Sequence, residues 1–401
     1  GSMLGLMDMF AGGALSAFSI FALGIMPYIS SSIILQLLTV AIPHLEKLSK
    51  EGEMGRRKIT QYTRYGTVAL SMIQGFGIAY GLQHMASPSG APIVLQPGFS
   101  FIIMTVITLT AGTAFIMWLG EQITERGLGN GISLIITAGI LSSMPAVLVS
   151  SFELVRIHEI SPLTLLFIFA FCFITLLGIV HVERSARRIP IQYPRRMVGK
   201  KMAQAQTQYL PLKVNMSGVI PPIFASALLS VPIIVLTAFS GNEIVQTVLD
   251  KFTVGGFWYE VTFVALIVFF CFFYVSVQFN PEDVAENLKK NGGFIPTVRP
   301  GKQTADFLYG VLNRITIWGA IYVSIICVVP QLVYQYSGAT AFSRVFSGTS
   351  ILIVVSVILD TAAQIEHMVI ARNYEAFMSR SSKLRGGMGS MSHMRNRILK
   401  R

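Results

Sequence analysis

Charged side chains are few in this chain. Asp, Glu, Lys and Arg make up 12% of its 401 residues, where a soluble domain carries about 25%. With 53% of residues hydrophobic and a mean hydropathy of +0.63, a soluble fold of this length is excluded. Cysteine is scarce as well. Cys172, Cys271 and Cys327 each sit inside an apolar run without metal-ligand spacing around them, so they read as small packed hydrophobes. Catalytic signatures are missing: no Walker lysine loop, no dinucleotide fingerprint and no HExxH helix occurs. Gly127-Leu128-Gly129-Asn130-Gly131 lacks the lysine and the preceding strand of a phosphate loop, and reads as a tight turn between two apolar segments. No enzyme activity and no cofactor are expected, so energy from nucleotide hydrolysis has to come from another protein. Gly1-Ser2-Met3 precedes neither a basic stretch nor a small-residue cleavage site, so no signal peptide is read there.

What the chain does hold is nine apolar stretches, at about 19–42, 66–84, 101–120, 131–150, 162–182, 215–238, 258–279, 308–332 and 346–369. About 20 residues cross a hydrocarbon core. Basic clusters at 47–64, 184–213 and 289–302 and beyond 372 alternate with weakly charged connections at 83–100, 151–161, 241–257 and 336–344. This is the positive-inside pattern of an all-α polytopic membrane protein, with the basic loops in the cytosol. The net charge of +12 therefore suits anionic lipid and cytosolic partners, including one that carries RNA, rather than free nucleic acid. Nine crossings with a cytosolic carboxyl terminus put the amino terminus outside, and an original first crossing is expected to be absent from the chain.

The organisation follows from these signals. Residues 1–18 read as a short re-entrant or outer-face element, 19–150 as the remainder of a first half and 151–183 as the fifth span with its outer connection. Residues 184–214 form a basic cytosolic loop, and 215–380 the remainder of a second half with a cytosolic loop at 281–306. Residues 381–401 are a basic tail in which Gly386 to Met394 has the look of an artificial join. Within 281–306, Asn280 can cap a helix opened by Pro281-Glu282-Asp283 and closed by Lys289-Lys290 before Asn291-Gly292-Gly293. The residues from Ile295 to Gly301 should then be extended and turning.

Few ionisable groups fall mid-span, where an ion-coupled porter would need them. Asp360 is the exception, and a bond to Gln364 or a neighbouring helix gives it a structural role ahead of a proton relay. Asn215, Gln36 and Gln331 are polar interior candidates that equally suit packing or helix ends. The 27 Phe and Trp118, Trp258 and Trp318 suit lipid-facing packing and the interface belt.

Phe21-Ala22-Leu23-Gly24-Ile25-Met26-Pro27-Tyr28-Ile29-Ser30, continued by Ser31 to Leu38, resembles a transmembrane region of the SecY family of bacterial protein-conducting channels. Further matches follow in family order: Glu125 to Ser133, Pro211-Leu212-Lys213-Val214-Asn215, Arg299-Pro300-Gly301-Lys302-Gln303-Thr304 and Gly348-Thr349-Ser350. The resemblance covers roughly 1–380 and implies a two-halved helical bundle around a central pore. That family has ten spans and starts in the cytosol, so the first helix is what this chain would lack.

The resemblance implies a pore ring of Ile25, Ile29, Ile132, Ile136, Ile223 and Ile353, with Ile220 one turn before Ile223. Branched apolar side chains from several helices can close a collar that offers ions no solvation yet yields to a polypeptide. It implies a plug at residues 3–12, with Met3, Leu4, Leu6, Met7, Asp8 and Phe10. It implies a lateral gate between spans one and two and spans six and seven, where Ser30 and Ile33 face Val231 and Asn215 adds polarity. Docking of a SecA motor or a ribosome is implied at Arg187, Arg188, Arg195, Arg196, Arg299 and Lys302. SecE, usually SecG, signal-bearing polypeptides and membrane lipid complete the implied partners, in the bacterial cytoplasmic membrane. The alternative is a secondary transporter, with a membrane scaffold behind it.

Overall fold

The computed structural model describes residues 13–14, 17–84, 94, 96–158, 160–193, 197–198, 201–202, 207–238, 256–336 and 346–370. The first expected span is helical only over Met26–Ala41 (α1). Residues 20–25 before it are turns, with Gly24 at a φ of +54°. Pro27 in the first helical turn accounts for this start. It has no N–H to donate, which the first turn tolerates and a helix interior does not. Pro43 ends the same helix. Ile42 is extended, and Pro43–Lys50 (α2) leaves it at a bend of 105°.

Glu53–His84 (α3), Phe99–Arg126 (α4) and Gly131–Arg156 (α5) complete the first half. The glycine-rich motif between α4 and α5 is a turn, as its composition predicts. Asn130 caps α5 by accepting from the Ile132 and Ser133 amides at 3.1 and 3.5 Å. Thr124 Oγ1 accepts from the Gly131 amide at 2.9 Å, which ties the end of α4 to the start of α5.

The second half starts from Pro162–Arg184 (α6), capped by Ser161, whose hydroxyl accepts from the Thr164 amide at 3.1 Å. The basic segment after it is not a plain loop. Ala186–Gln192 (β1) and Thr207–Lys213 (β4) pair antiparallel, with Ala186 opposite Lys213 and Gln192 opposite Thr207. Met197–Val198 (β2) and Lys201–Met202 (β3) pair toward the tip. Alternation is the cause: Ile189, Ile191 and Leu212 turn inward while Arg188, Pro190 and Pro211 stay out. Then come Ile220–Ala238 (α7), Phe257–Gln278 (α8), Pro281–Lys290 (α9), Lys302–Tyr336 (α10) and Gly348–Ile370 (α11). In α9 the expected signals all act: Asn280 accepts from the Glu282 amide, acids fill the first turn and lysines the last.

Six of the described helices are long and apolar enough to cross a membrane, or seven if α1 and α2 count as one broken span. The expected crossing in α3 falls below that threshold, and α7 is counted over Ile220–Ser230 alone. At 1.5 Å per residue they still reach ~48 Å and ~28 Å. α3 loses apolarity because Thr63, Thr67, Ser71 and Gln74 lie buried on its inward side, where it packs on α1, α4 and α7. Elsewhere the large apolar side chains point outward, with Phe99 and Leu163 each 76% exposed. A bilayer, not water, is the medium that suits such a surface.

Candidate functional site

Ile25, Ile29, Ile136, Ile223 and Ile353 are each at most 8% exposed and belong to one apolar cluster. Ile132 and Ile220 are partly buried and pack against it. The seven side chains come from four places: the start of α1, the start of α5, the start of α7 and the outer part of α11. Helical spacing sets each pair on one face. The Ile29 amide donates to the Ile25 carbonyl at 3.2 Å across the first turn of α1. Ile132 and Ile136 repeat the interval on α5. α11 is placed by its own cap, in which Ser347 Oγ accepts from the Ser350 amide at 3.2 Å.

A cavity of about 630 Å³ with mixed polar and apolar walls reaches this cluster at Ile220 and Val357. Its walls come from the α4–α5 turn, the ends of α6 and α8, β4, the root of α7 and the inner part of α11. Asp360 lies at its edge, not in an apolar mid-span. Its carboxylate is 3.4 Å from Lys213 Nζ, and the two side chains are 65% and 61% exposed. Deeper in, Asn215 Nδ2 donates to Glu183 Oε1 at 2.6 Å and to the Gly218 carbonyl at 3.1 Å. Ser217 Oγ donates to Asn215 Oδ1 at 3.2 Å. Glu183 was not singled out from the sequence. Its one local signal is an acid closing a long apolar run. Among the described residues no group of three or more His, Cys, Asp or Glu side chains could hold a metal ion.

α1 and α3 both pack against α7, and α7 packs against α8. Ser30 and Ile33 are buried on α1, and Ser30 Oγ has no hydrogen-bond partner among the described residues. The Val231 side chain lies outside the described residues. Asn215, expected to lend polarity to this seam, makes its hydrogen bonds within the second half instead. The residues expected to form a plug, Met3, Leu4, Leu6, Met7, Asp8 and Phe10, lie outside the described residues.

The two basic loops form one module. Gln192 and Phe294 exchange two backbone hydrogen bonds, at 2.9 and 3.0 Å. Ile189 and Leu212 of the hairpin share a small core with Ile295, Val275, Leu308, Val311, Leu312 and Ile315. Arg187 and Arg188 are exposed on β1, and Arg299 and Lys302 are exposed beside the start of α10. The Arg299 carbonyl accepts from Thr304 Oγ1 at 2.8 Å, which holds its backbone while the guanidinium stays free to reach outward. Arg195 and Arg196 lie outside the described residues.

A bundle of membrane-length helices with a cavity that ends on a shared apolar cluster suits a membrane channel. The SecY family model matches residues 19–362, and the chain belongs to the SecY family. It is 46% identical over 381 residues to the protein translocase subunit SecY of Aquifex aeolicus, covering 95% of this chain and 88% of that one. It is likewise 46% identical to the Escherichia coli K12 subunit, covering 95% and 86%. Among solved structures, a protein-conducting channel overlays with a TM-score of 0.63 at 18% identity, over 90% of this chain and 84% of that one. Sec61 from the canine ribosome–channel complex overlays at 0.58 with 17% identity, over 88% and 83%. These two likenesses concern the fold. The chain is a multi-pass protein of the bacterial cytoplasmic membrane whose activity is that of a protein-conducting channel.

Proposed function

We propose that Ile25, Ile29, Ile132, Ile136, Ile223 and Ile353 form the seal of the conduit, which unfolded secretory polypeptides part as they cross. One observation carries this reading: side chains from four separated elements join one apolar cluster, which borders a cavity at Ile220 and Val357. Water and polypeptide can fill such a cavity, whereas an ion at the cluster would have no ligand. The contact of α1 and α3 with α7 supports a lateral exit for apolar segments between the two halves, and Ser30 offers an unsatisfied hydroxyl at that seam. A secondary transporter finds no support, since Asp360, on which that reading rested, is exposed and paired.

The test is crosslinking. With the three native cysteines replaced, single cysteines at the six ring positions should each crosslink to a secretory chain stalled in transit. Cysteines at the outward-facing Leu166 and Phe173 should not. Equal labelling of both sets would end the proposal.

The exposed arginines on the cytosolic module are the docking surface for a cytosolic partner, a SecA-type motor or a ribosome, and SecE and SecG complete the complex in the membrane. Arg299 carries most of this role, because a guanidinium makes paired bonds to carboxylate or phosphate that lysine cannot copy. Arg299→Glu should reduce partner-driven export by roughly tenfold, the loss expected for a reversed charge-assisted contact. Membrane insertion of the channel itself should be unchanged. Equal loss of both would remove Arg299 from the docking surface.

A further inference from the structure

The cavity wall holds a polar junction that the channel reading does not use. Three elements meet there. Glu183 stands in the last turn of α6, Asn215 in the strand-to-helix root of α7, and Ser356 on α11. Asn215 is 2% exposed, and its amide donates to the Glu183 carboxylate at 2.6 Å. Ser356, 6% exposed, lines the same cavity wall as this carboxylate. Asn215 and Ser356 both lead directly to the isoleucine cluster. Ile223 lies eight residues beyond Asn215, and Ile353 lies three residues, about one helical turn, before Ser356.

The nearby Lys213–Asp360 pair also bridges the hairpin to α11. Both its side chains are largely exposed, and exposed pairs of this kind hold little. The contacts of the half-buried Glu183 therefore dominate the junction. The hairpin offers no slack on the other side, because the Val214 amide donates to the Ser185 carbonyl at 3.0 Å. The end of α6 and the root of α7 are thus closed into one loop whose inner lock is the Glu183–Asn215 bond. Asn215 in turn shapes the approach to α7 by donating to the Gly218 carbonyl, where Gly218 takes a φ of +63°.

We propose that Glu183 is a positioning residue for the seal: bonded to Asn215 and set beside Ser356, it fixes how the α7 root sits against α11 and with it the resting aperture between Ile223 and Ile353. This rests on the reading of the isoleucine cluster as the seal. A polypeptide entering the cavity meets this junction before it meets the cluster, so the junction also fixes how much force an incoming signal must apply.

The experiment uses the channel with its accessory subunits in sealed vesicles and reads resting ion flux, with export of substrates bearing a normal or a weakened signal. Glu183→Ala should raise resting flux about fivefold or more, by removing the acceptor of a buried donor. It should also raise export of the weak-signal substrate while normal export is kept, whereas mere structural damage would lower both. Glu183→Gln retains an acceptor oxygen for Asn215 and should stay within about twofold of the parent. Should Glu183→Ala not accumulate, Ser356→Ala, which removes the neighbouring hydroxyl on α11, should give the same changes in smaller measure. Parent-level flux in the accumulating variants, or a Gln variant that leaks as much as Ala, overturns the proposal. The ring variant Ile29→Gly with Ile223→Gly is measured alongside. If it leaks while the Glu183 and Ser356 variants do not, the positioning role falls and the seal stands. If none of them leaks, both fall.

Discussion

Ion flux through the resting channel is expected to rise by about tenfold or more when Ile29 and Ile223 are both replaced with glycine. These two residues come from opposite halves, Ile29 on α1 and Ile223 on α7, and both are buried in the same cluster. Removing both opens the collar from two sides, and the remaining isoleucines cannot close over the gap without moving their helices. The truncations are severe. Each large-to-small change in a packed interior costs about 2–5 kcal/mol, and glycine in a helix adds about 1 kcal/mol. Flux must therefore be normalised to folded protein in the vesicle. Ile29→Leu with Ile223→Leu, which keeps volume and apolarity, should hold ions back as the parent does. A glycine variant that accumulates normally and holds ions equally well would remove both residues from the seal.

Gly348→Val should cost most of the folded protein. A Cβ at Gly348 would fall onto the Ile326 carbonyl oxygen and lie 2.9 Å from the Cys327 Cα. Both obstacles are backbone of α10, so no rotamer change relieves the clash, and α11 has to move away bodily. Overpacking costs about 1–3 kcal/mol when side chains can adjust, and more is expected where they cannot. α11 carries Leu352 and Ile353, both fully buried, so the displacement reaches the isoleucine cluster. The expected readouts are a sharp fall in folded yield in detergent and, in whatever survives, a raised resting flux. Gly178→Ala on α6 is the comparison, since a Cβ there meets nothing within 4 Å. It should be harmless or slightly stabilising. Normal yield and flux from Gly348→Val would contradict the close approach of α10 and α11.

Much of the architecture was legible because it is local. Hydropathy marked every long helix among the described residues. α9 was readable down to its cap, because Asn280, Pro281, the acids and the lysines act within one short segment. What stayed hidden depends on distant pairing. Asn215 finds Glu183 across 32 positions and Lys213 finds Asp360 across 147, and no local pattern encodes either. The hairpin was readable in principle from the alternation of Ile189, Ile191, Leu210 and Leu212, but its many arginines made it look like a plain basic loop. The isoleucines are the hardest case. Lipid is as apolar as a protein interior, so an isoleucine in a spanning run has the same sequence context whether it meets lipid or a partner helix. Only the resemblance to a family singled out Ile25 or Ile353, and only the folded chain brings them together.

The sharp turn at Ile42 restricts how the first half can move. α1 bends by 105° into α2, and α2 passes through Glu51 and Gly52 into α3. Ser31 Oγ meanwhile donates to the Thr63 carbonyl at 2.9 Å, clasping α1 to α3 higher up. A rod that is hooked at its foot and clasped along its shaft cannot travel lengthwise like a piston. Parting α1 from α7 must therefore be a swing, in which α1, α2 and α3 turn together as one leaf of a door.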